Sequence, residues 1–128
     1  MNIETYTNGD IRITKLNGKL HSIDDEPSWI HKDVKMWHKD GLIHRDNGPA
    51  VIDNKSEVWY QNGLIHRDTD PAYISDNAIM WYVNNMPHRD DGPAVIGING
   101  RAEWWINGEF IKLSNNYNPQ VKSARKFI

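Results

Sequence analysis

The chain repeats itself at a step of 22 or 23 residues. The segment Trp59-Tyr60-Gln61-Asn62-Gly63-Leu64-Ile65-His66-Arg67-Asp68-Thr69-Asp70-Pro71-Ala72 recurs from Trp37 to Ala50 and again from Trp81 to Ala94. His21, His44, His66 and His88 keep the step, and so do Trp37, Trp59, Trp81 and Trp104. A fixed period in this range marks a repeat architecture, in which each unit is one small structural piece that buries its apolar face against its neighbours.

The content of the unit is β-structure. Asn8-Gly9, Asn17-Gly18, Asp40-Gly41, Asn62-Gly63, Asn99-Gly100 and Asn107-Gly108 supply the positive φ angles of tight hairpin turns. Between them lie short runs of Val, Ile, Trp and Tyr, which suit strands. One unit reads as a strand Ala50-Val51-Ile52, a turn Asp53–Ser56, a second strand Glu57-Val58-Trp59-Tyr60-Gln61, the Asn62-Gly63 reversal and Leu64-Ile65-His66-Arg67. Pro71 then interrupts the ladder, because proline brings no N–H donor. Two reversals per unit favour an all-β, antiparallel meander of about four hairpin repeats over a solenoid with one coil per repeat. The expected result is a twisted, largely single-layer sheet.

The ends are atypical, as terminal repeats are. Residues 1–16 read as an opening hairpin and 17–112 as the hairpin repeats, with Thr14 in place of the first Trp and one extra residue between His21 and Pro27. Residues 113–128 leave the pattern and form a C-terminal cap or a tail. A short helix from Pro119 would put Val121, Ala124 and Phe127 on one face. With 128 residues, the chain is expected to be one domain.

Composition removes several function classes. The net charge of −2 argues against binding duplex nucleic acid through a bulk field, and against docking on anionic lipid by charge. The absence of cysteine excludes disulfides, thiolate metal sites and a cysteine nucleophile. There is no signal-peptide pattern at Met1-Asn2-Ile3-Glu4 and no apolar run near the ~20 residues of a membrane span. A cytoplasmic location is expected.

His44-Arg45-Asp46, His66-Arg67-Asp68 and His88-Arg89-Asp90 resemble the catalytic-loop tripeptide of protein kinases, but three copies without a Gly-rich loop or an Asp-Phe-Gly do not make a kinase. A residue that every central unit requires reads as structural. His44, His66 and His88 are expected to hold the Asx-Gly or Gly-Pro turns. Arg45, Arg67 and Arg89 are expected to pair with an Asp or to stack on a Trp of the next unit. The alternative is a ladder of His and Arg that receives phosphates or carboxylates. A shared metal is excluded by spacing, because equivalent histidines two strands apart lie ~9–10 Å from one another and zinc needs nitrogens within ~2.1 Å. No catalytic residue and no cofactor is expected.

The aromatic pairs divide between the two faces of a strand. Trp37, Trp59, Trp81 and Trp104 read as the repeat core. His38, Tyr60, Tyr82 and Trp105 form the other row. They are the expected contact surface for a partner, with Arg45, Arg67 and Arg89 as polar contacts, because Tyr and Trp carry much of the energy of interfaces.

From Asn62-Gly63-Leu64-Ile65-His66, over roughly residues 14–112, the pattern resembles MORN-type repeats. It resembles more closely a variant group, Trp-Tyr-x-Asn-Gly-x-x-His-Arg-x-x-Gly-Pro-Ala, associated with bacteriophage, bacterial and giant-virus proteins. Arg45, Arg67 and Arg89 stand where a glycine commonly follows the histidine, so the lipid-binding role given to some MORN proteins is not carried over. The resemblance implies a single-layer antiparallel sheet and a binding or scaffolding role, in the manner of a viral accessory protein that engages or inhibits a host factor in the host cytoplasm. The expected function is a non-enzymatic protein-binding module. Capture of a nucleotide-like ligand between rings and Arg is the second reading, and self-association as a homo-oligomer is the third.

Overall fold

The computed structural model describes residues 2–118. The helix expected from Pro119 lies outside them. Among the described residues there is no helix, hence none long and apolar enough to cross a membrane. The fold is an all-β antiparallel meander of hairpins, as the turn spacing predicts.

The chain divides into two compact units, Met1–Leu64 and Ile65–Ile128. The first contains β1 (Ile3–Asn8), β2 (Ile11–Leu16), β3 (Lys19–Leu20), β4 (Trp29–His31), β5 (Val34–Met36), β6 (His38–Lys39), β7 (Leu42–Ile43), β8 (Val51–Ile52), β9 (Ser56–Val58) and β10 (Tyr60–Gln61). The chain passes from one unit to the other through β11 (Leu64–Ile65). The second unit contains β12 (Tyr73–Ser75), β13 (Ala78–Met80), β14 (Tyr82–Val83), β15 (Met86–Pro87), β16 (Val95–Gly97), β17 (Ala102–Ile106) and β18 (Glu109–Ser114).

Each unit has a main sheet and side arms. In the first, β1-β2-β4-β5-β8-β9 are antiparallel neighbours in that order, and β6–β7 is a separate two-stranded arm. In the second, the order is β12-β13-β16-β17-β18, and β14–β15 is the arm. The strand expected as Glu57–Gln61 is therefore two strands broken at Trp59, and Trp37 and Trp81 break theirs in the same way. The hydrogen bonds give the reason. The Trp37 N–H donates to Ala50 O at 2.8 Å, in the main sheet, while Trp37 O accepts from His44 N–H at 3.0 Å, in the arm. Trp81 does the same with Ala94 (2.7 Å) and His88 (3.1 Å). The tryptophan is the hinge at which the chain turns out of one ladder and into the other.

The arm turns carry the positive φ that their Asx-Gly residues predict. Asn62 and Gly63 have φ of 51° and 81°, which fits the two-residue hairpin turn with both central residues left-handed. In the β1–β2 hairpin, by contrast, Asn8 closes the strand opposite Ile11 and the turn is Gly9-Asp10.

Successive arms are tied through these turns. In the first unit Gly41 N–H donates to Leu20 O (2.9 Å) and Gly63 N–H to Ile43 O (2.8 Å). In the second, Asn85 N–H donates to Ile65 O (2.8 Å) and Gly108 N–H to Pro87 O (2.9 Å).

The core is small and built from the same repeat positions. Ala50, Ala72 and Ala94, which follow the repeat proline, are fully buried, and Ser28 is buried at the equivalent position after Pro27. In the second unit Ile74, Ile79, Trp81, Ala94 and Ile96 make one cluster, with Trp105 and Tyr117 packed against it.

Candidate functional site

The His-Arg pair follows directly from the hinge at Trp. Eight residues after the tryptophan, the arginine folds back over the ring of its own unit. The Cζ of Arg45 lies 3.9 Å from the Trp37 ring centroid, and that of Arg89 lies 3.8 Å from Trp81. This corrects the expectation that the arginine reaches the Trp of the next unit: the hinge brings the two ends of one arm together. In the last unit Lys112 stands eight residues after Trp104 and takes the same place, its Nζ 4.5 Å from that ring. Each guanidinium also donates from Nη1 to the carbonyl of the proline four residues on, at 3.1 Å for Arg45–Pro49, Arg67–Pro71 and Arg89–Pro93.

The glycine of Gly-Pro-Ala is explained by the same stack. A Cβ on Gly48 or Gly92 would stand 2.9 Å from the Arg45 or Arg89 Cζ, so the arginine lies between an indole face and bare backbone. At the third copy Asp70 occupies the glycine position and forms an ion pair with Arg67, at 3.5 Å.

The histidines fasten one unit to the next turn. Asp40 N–H donates to His21 Nδ1 (3.1 Å), Asn62 N–H to His44 Nδ1 (2.9 Å), Asn84 N–H to His66 Nδ1 (3.1 Å) and Asn107 N–H to His88 Nδ1 (2.9 Å). An Nδ1 that accepts carries no proton, so the neutral ring holds its proton on Nε2. That nitrogen meets Asp46 at 2.7 Å from His44, Asp68 at 2.7 Å from His66 and Asp90 at 3.3 Å from His88. Both nitrogens of the three central histidines are thus engaged in the scaffold.

The aromatic row is not uniform. Tyr60, Tyr82 and Trp105 are half-buried, and Trp105 meets Phe110 edge-on at 5.4 Å while its Nε1 donates to Glu103 at 2.9 Å. His38 is only 6% exposed. It is not on an open surface, because its Nδ1 faces the buried Ser28 Oγ at 2.8 Å. Trp37 and Trp81 are buried, and Trp59 and Trp104 are half-buried. Arg45, Arg67 and Arg89 are partly covered by the contacts just described.

Two features escape a reading of the repeat alone. The residue after the arm turn is apolar and exposed in three successive copies: Leu42 at 50%, Leu64 at 38% and Met86 at 40%. The signal for it is the fixed position after Asx-Gly or Asn-Asn. The second feature is a cleft of about 290 Å³ in the first unit, lined by His21, Ser22, Trp37, His38, Lys39 and Arg45 among others. Beside it, Asp24 and Asp25 both adopt positive φ (55° and 59°), in the loop that carries the extra residue. The Asp25 carboxylate accepts from Arg45 Nε (3.0 Å) and Nη2 (3.1 Å), and its carbonyl accepts from Trp37 Nε1 at 2.9 Å. The hydrogen bonds from Arg45 hold the Asp25 carboxyl below the usual carboxylate range. Burial pushes the His38 imidazole below the usual histidine range.

No group of three or more metal-ligating side chains occurs among the described residues. No family model, curated protein or solved structure matches the chain.

Proposed function

We propose that this chain is a non-enzymatic repeat module that binds another protein through the tips of its arms. The observation that carries the reading is the exposure of Leu42, Leu64 and Met86 at one repeat position. A chain of mean hydropathy −0.73 has little apolar material, and it places three large apolar side chains in water at a fixed step. Large apolar side chains left in water at a repeated position of an otherwise polar chain mark partner contacts. Half-buried Tyr60 and Tyr82 sit two residues before the arm turns and add aromatic contact area to the same hairpins.

The absence of a catalytic role is supported by the engagement of His44, His66 and His88 on both ring nitrogens. Chemistry at those rings would have to break the fastening of the next turn. The viral accessory role, with a host protein as partner in the host cytoplasm, rests on the MORN-like resemblance.

The test compares the wild-type chain with Leu42→Ser/Leu64→Ser/Met86→Ser as bait in lysate of the natural host. The wild type should retain a defined protein that the triple variant loses while its melting temperature stays close. Identical captures by the two baits would remove the reading.

Self-association is favoured by a different element. Phe110, Ile111 and Leu113 are all exposed on β18, whose only strand neighbour among the described residues is β17, and an exposed apolar edge strand is a template for pairing. Light scattering over a range of concentrations decides it, since a strict monomer has no such contact.

A further inference from the structure

The repeat supplies its own control for the cleft in the first unit, because each position there can be compared with its equivalents further along the chain. Ser22 stands at the arginine position: its N–H donates to His38 O (2.8 Å), as Arg45 N–H does to Tyr60 O (3.4 Å), Arg67 N–H to Tyr82 O (3.1 Å) and Arg89 N–H to Trp105 O (3.1 Å). A hydroxymethyl group therefore replaces a guanidinium at this point. Ile23 replaces the aspartate that caps the histidine in the other copies, and His38 replaces an aromatic residue. Ser28 replaces the buried alanine. Two of these departures, Ser22 and His38, line the cleft together with His21, and Ser28 reaches it through its hydrogen bond to His38.

Their effect is to leave hydrogen-bonding groups unspent. His21 accepts from Asp40 N–H on Nδ1, so its proton is on Nε2. With Ile23 where Asp46, Asp68 and Asp90 stand elsewhere, that Nε2–H has no acceptor among the described residues. His38 is buried, with Nδ1 on Ser28, and its Nε2 likewise has no partner among the described residues. Ser28 Oγ also reaches Met36 O at 3.3 Å. When Ser28 donates there, it accepts from His38 Nδ1–H. When it donates to His38 instead, the proton moves to Nε2 and faces a ligand. Ser22 Oγ accepts from the His38 N–H at 3.1 Å, which leaves its own O–H to donate. Lys39 adds an exposed ammonium at the rim. Of the nearby carboxylates, Asp25 is taken by Arg45 and Asp46 by His44, and Asp40 Oδ1 stands 3.5 Å from His21 Nδ1, the ring nitrogen that does not carry the proton.

We propose that this cleft binds the oxyanion of a small molecule, a carboxylate or a phosphate, through His21 Nε2–H, the Ser22 hydroxyl, His38 and Lys39. The donor at His21 decides against a metal ion. A metal would need the Nε2 lone pair, and the proton could not move to Nδ1 while Asp40 N–H points at it. An anionic oxygen needs the N–H that is there. A partly enclosed site strengthens such charge-assisted hydrogen bonds.

The experiment is a titration of the ¹⁵N-labelled full chain at constant pH, following the ring nitrogens of its histidines. The probes are sodium phosphate and sodium acetate, with sodium chloride at matched ionic strength. Saturable shifts at His21 and His38, absent at His66 and His88, are expected with phosphate, acetate or both. The probe that saturates at the lower concentration names the class. Ser28→Ala/His38→Tyr restores the pattern of the other repeats and should abolish the saturable His21 shift. Should that variant fail to fold, Lys39→Gln, at an exposed position, should weaken binding several-fold. The idea is overturned by shifts that chloride reproduces, by equal shifts at all four histidines, by no saturable response to either anion, or by unchanged binding in the folded variants.

Discussion

Arg89 lies over the Trp81 ring, with its Cζ 3.8 Å from the ring centroid, and the space on its other side belongs to Gly92. A Cβ at Gly92 would come within 2.9 Å of the Cζ and 3.0 Å of Nη1. The arginine has no room to give, because Nη1 is bound to Pro93 O and Nε to Asp91. Gly92→Ala should therefore destabilise the protein by about 1–3 kcal/mol through overpacking. In an Arg89→Ala background the same change should cost far less, since the clash is gone. A double-mutant cycle from urea denaturation measures the coupling. An equal cost in both backgrounds would show that the glycine is needed for its backbone and not for the stack.

His44 ties its own arm to the turn that follows. It is 6% exposed, and it accepts from Asn62 N–H at 2.9 Å while its Nε2 meets Asp46 at 2.7 Å. His44→Ala strands the Asn62 N–H in a partly buried position, which costs about 1–3 kcal/mol beyond the lost packing. Asp46→Ala removes only a partner whose side chain is 71% exposed, so its cost should stay under about 1 kcal/mol. Thermal or urea melts of the two variants give the order, and a larger loss at Asp46 would reverse the roles assigned to the two contacts.

These fastenings were legible in the sequence because they recur. A histidine or an arginine at a fixed step, beside Asx-Gly turns, points to a structural part, and the hairpins follow from the same dipeptides. What could not be read was where a strand bends. Glu57–Gln61 has the composition of one strand, but it breaks at Trp59; at the equivalent Trp37 and Trp81 the N–H and the carbonyl serve two different ladders, and composition does not register that switch. The fate of His38 was equally hidden. By position it belongs with Tyr60 and Tyr82, and only Ser28, ten residues earlier and buried, draws the ring inward. The αL pair Asp24-Asp25 has no glycine to announce it and is set by the contacts of Asp25 with Arg45 and Trp37.

The burial of His38 has a pH signature. The folded protein keeps this imidazole neutral, its pKa pushed below the ordinary value by burial, while in the unfolded chain it titrates near ~6.5. Above that value both states are neutral and the contribution is fully present. As the pH falls below it, the unfolded chain takes up a proton that the folded ring resists, and stability declines until the folded pKa is passed. Ser28→Ala/His38→Tyr removes this titration and leaves the other histidines in place. The drop in urea midpoint between about pH 7.5 and pH 5.5 should then be smaller in the variant than in the wild type. Asp25 acts in a separate, more acidic window: its carboxyl is held low by the hydrogen bonds from Arg45, so its contribution is lost as the pH falls through that depressed value. A drop of the same size in both proteins above pH 5 would mean that the His38 ring is not the group being titrated.

The arm tips and the hinges should separate binding from stability. Trp81 is buried in the cluster of Ile74, Ile79 and Ile96, and Trp81→Ala should cost about 3–5 kcal/mol. Met86 is 40% exposed, although its Cβ side leans on Gly108, where an added Cβ would come within 3.4 Å. Met86→Ser should accordingly cost less than about 1 kcal/mol, in the range of surface substitutions. Leu42→Ser should behave alike, since Leu42 is 50% exposed and a Cβ added at Gly63 would come no closer to it than 3.5 Å. If the arms carry the contact, each serine variant keeps its melting temperature near the wild-type value and lowers the amount of partner retained, while Trp81→Ala loses both together. Retention that tracks only the melting temperature across all three variants would place the contact elsewhere on the repeat.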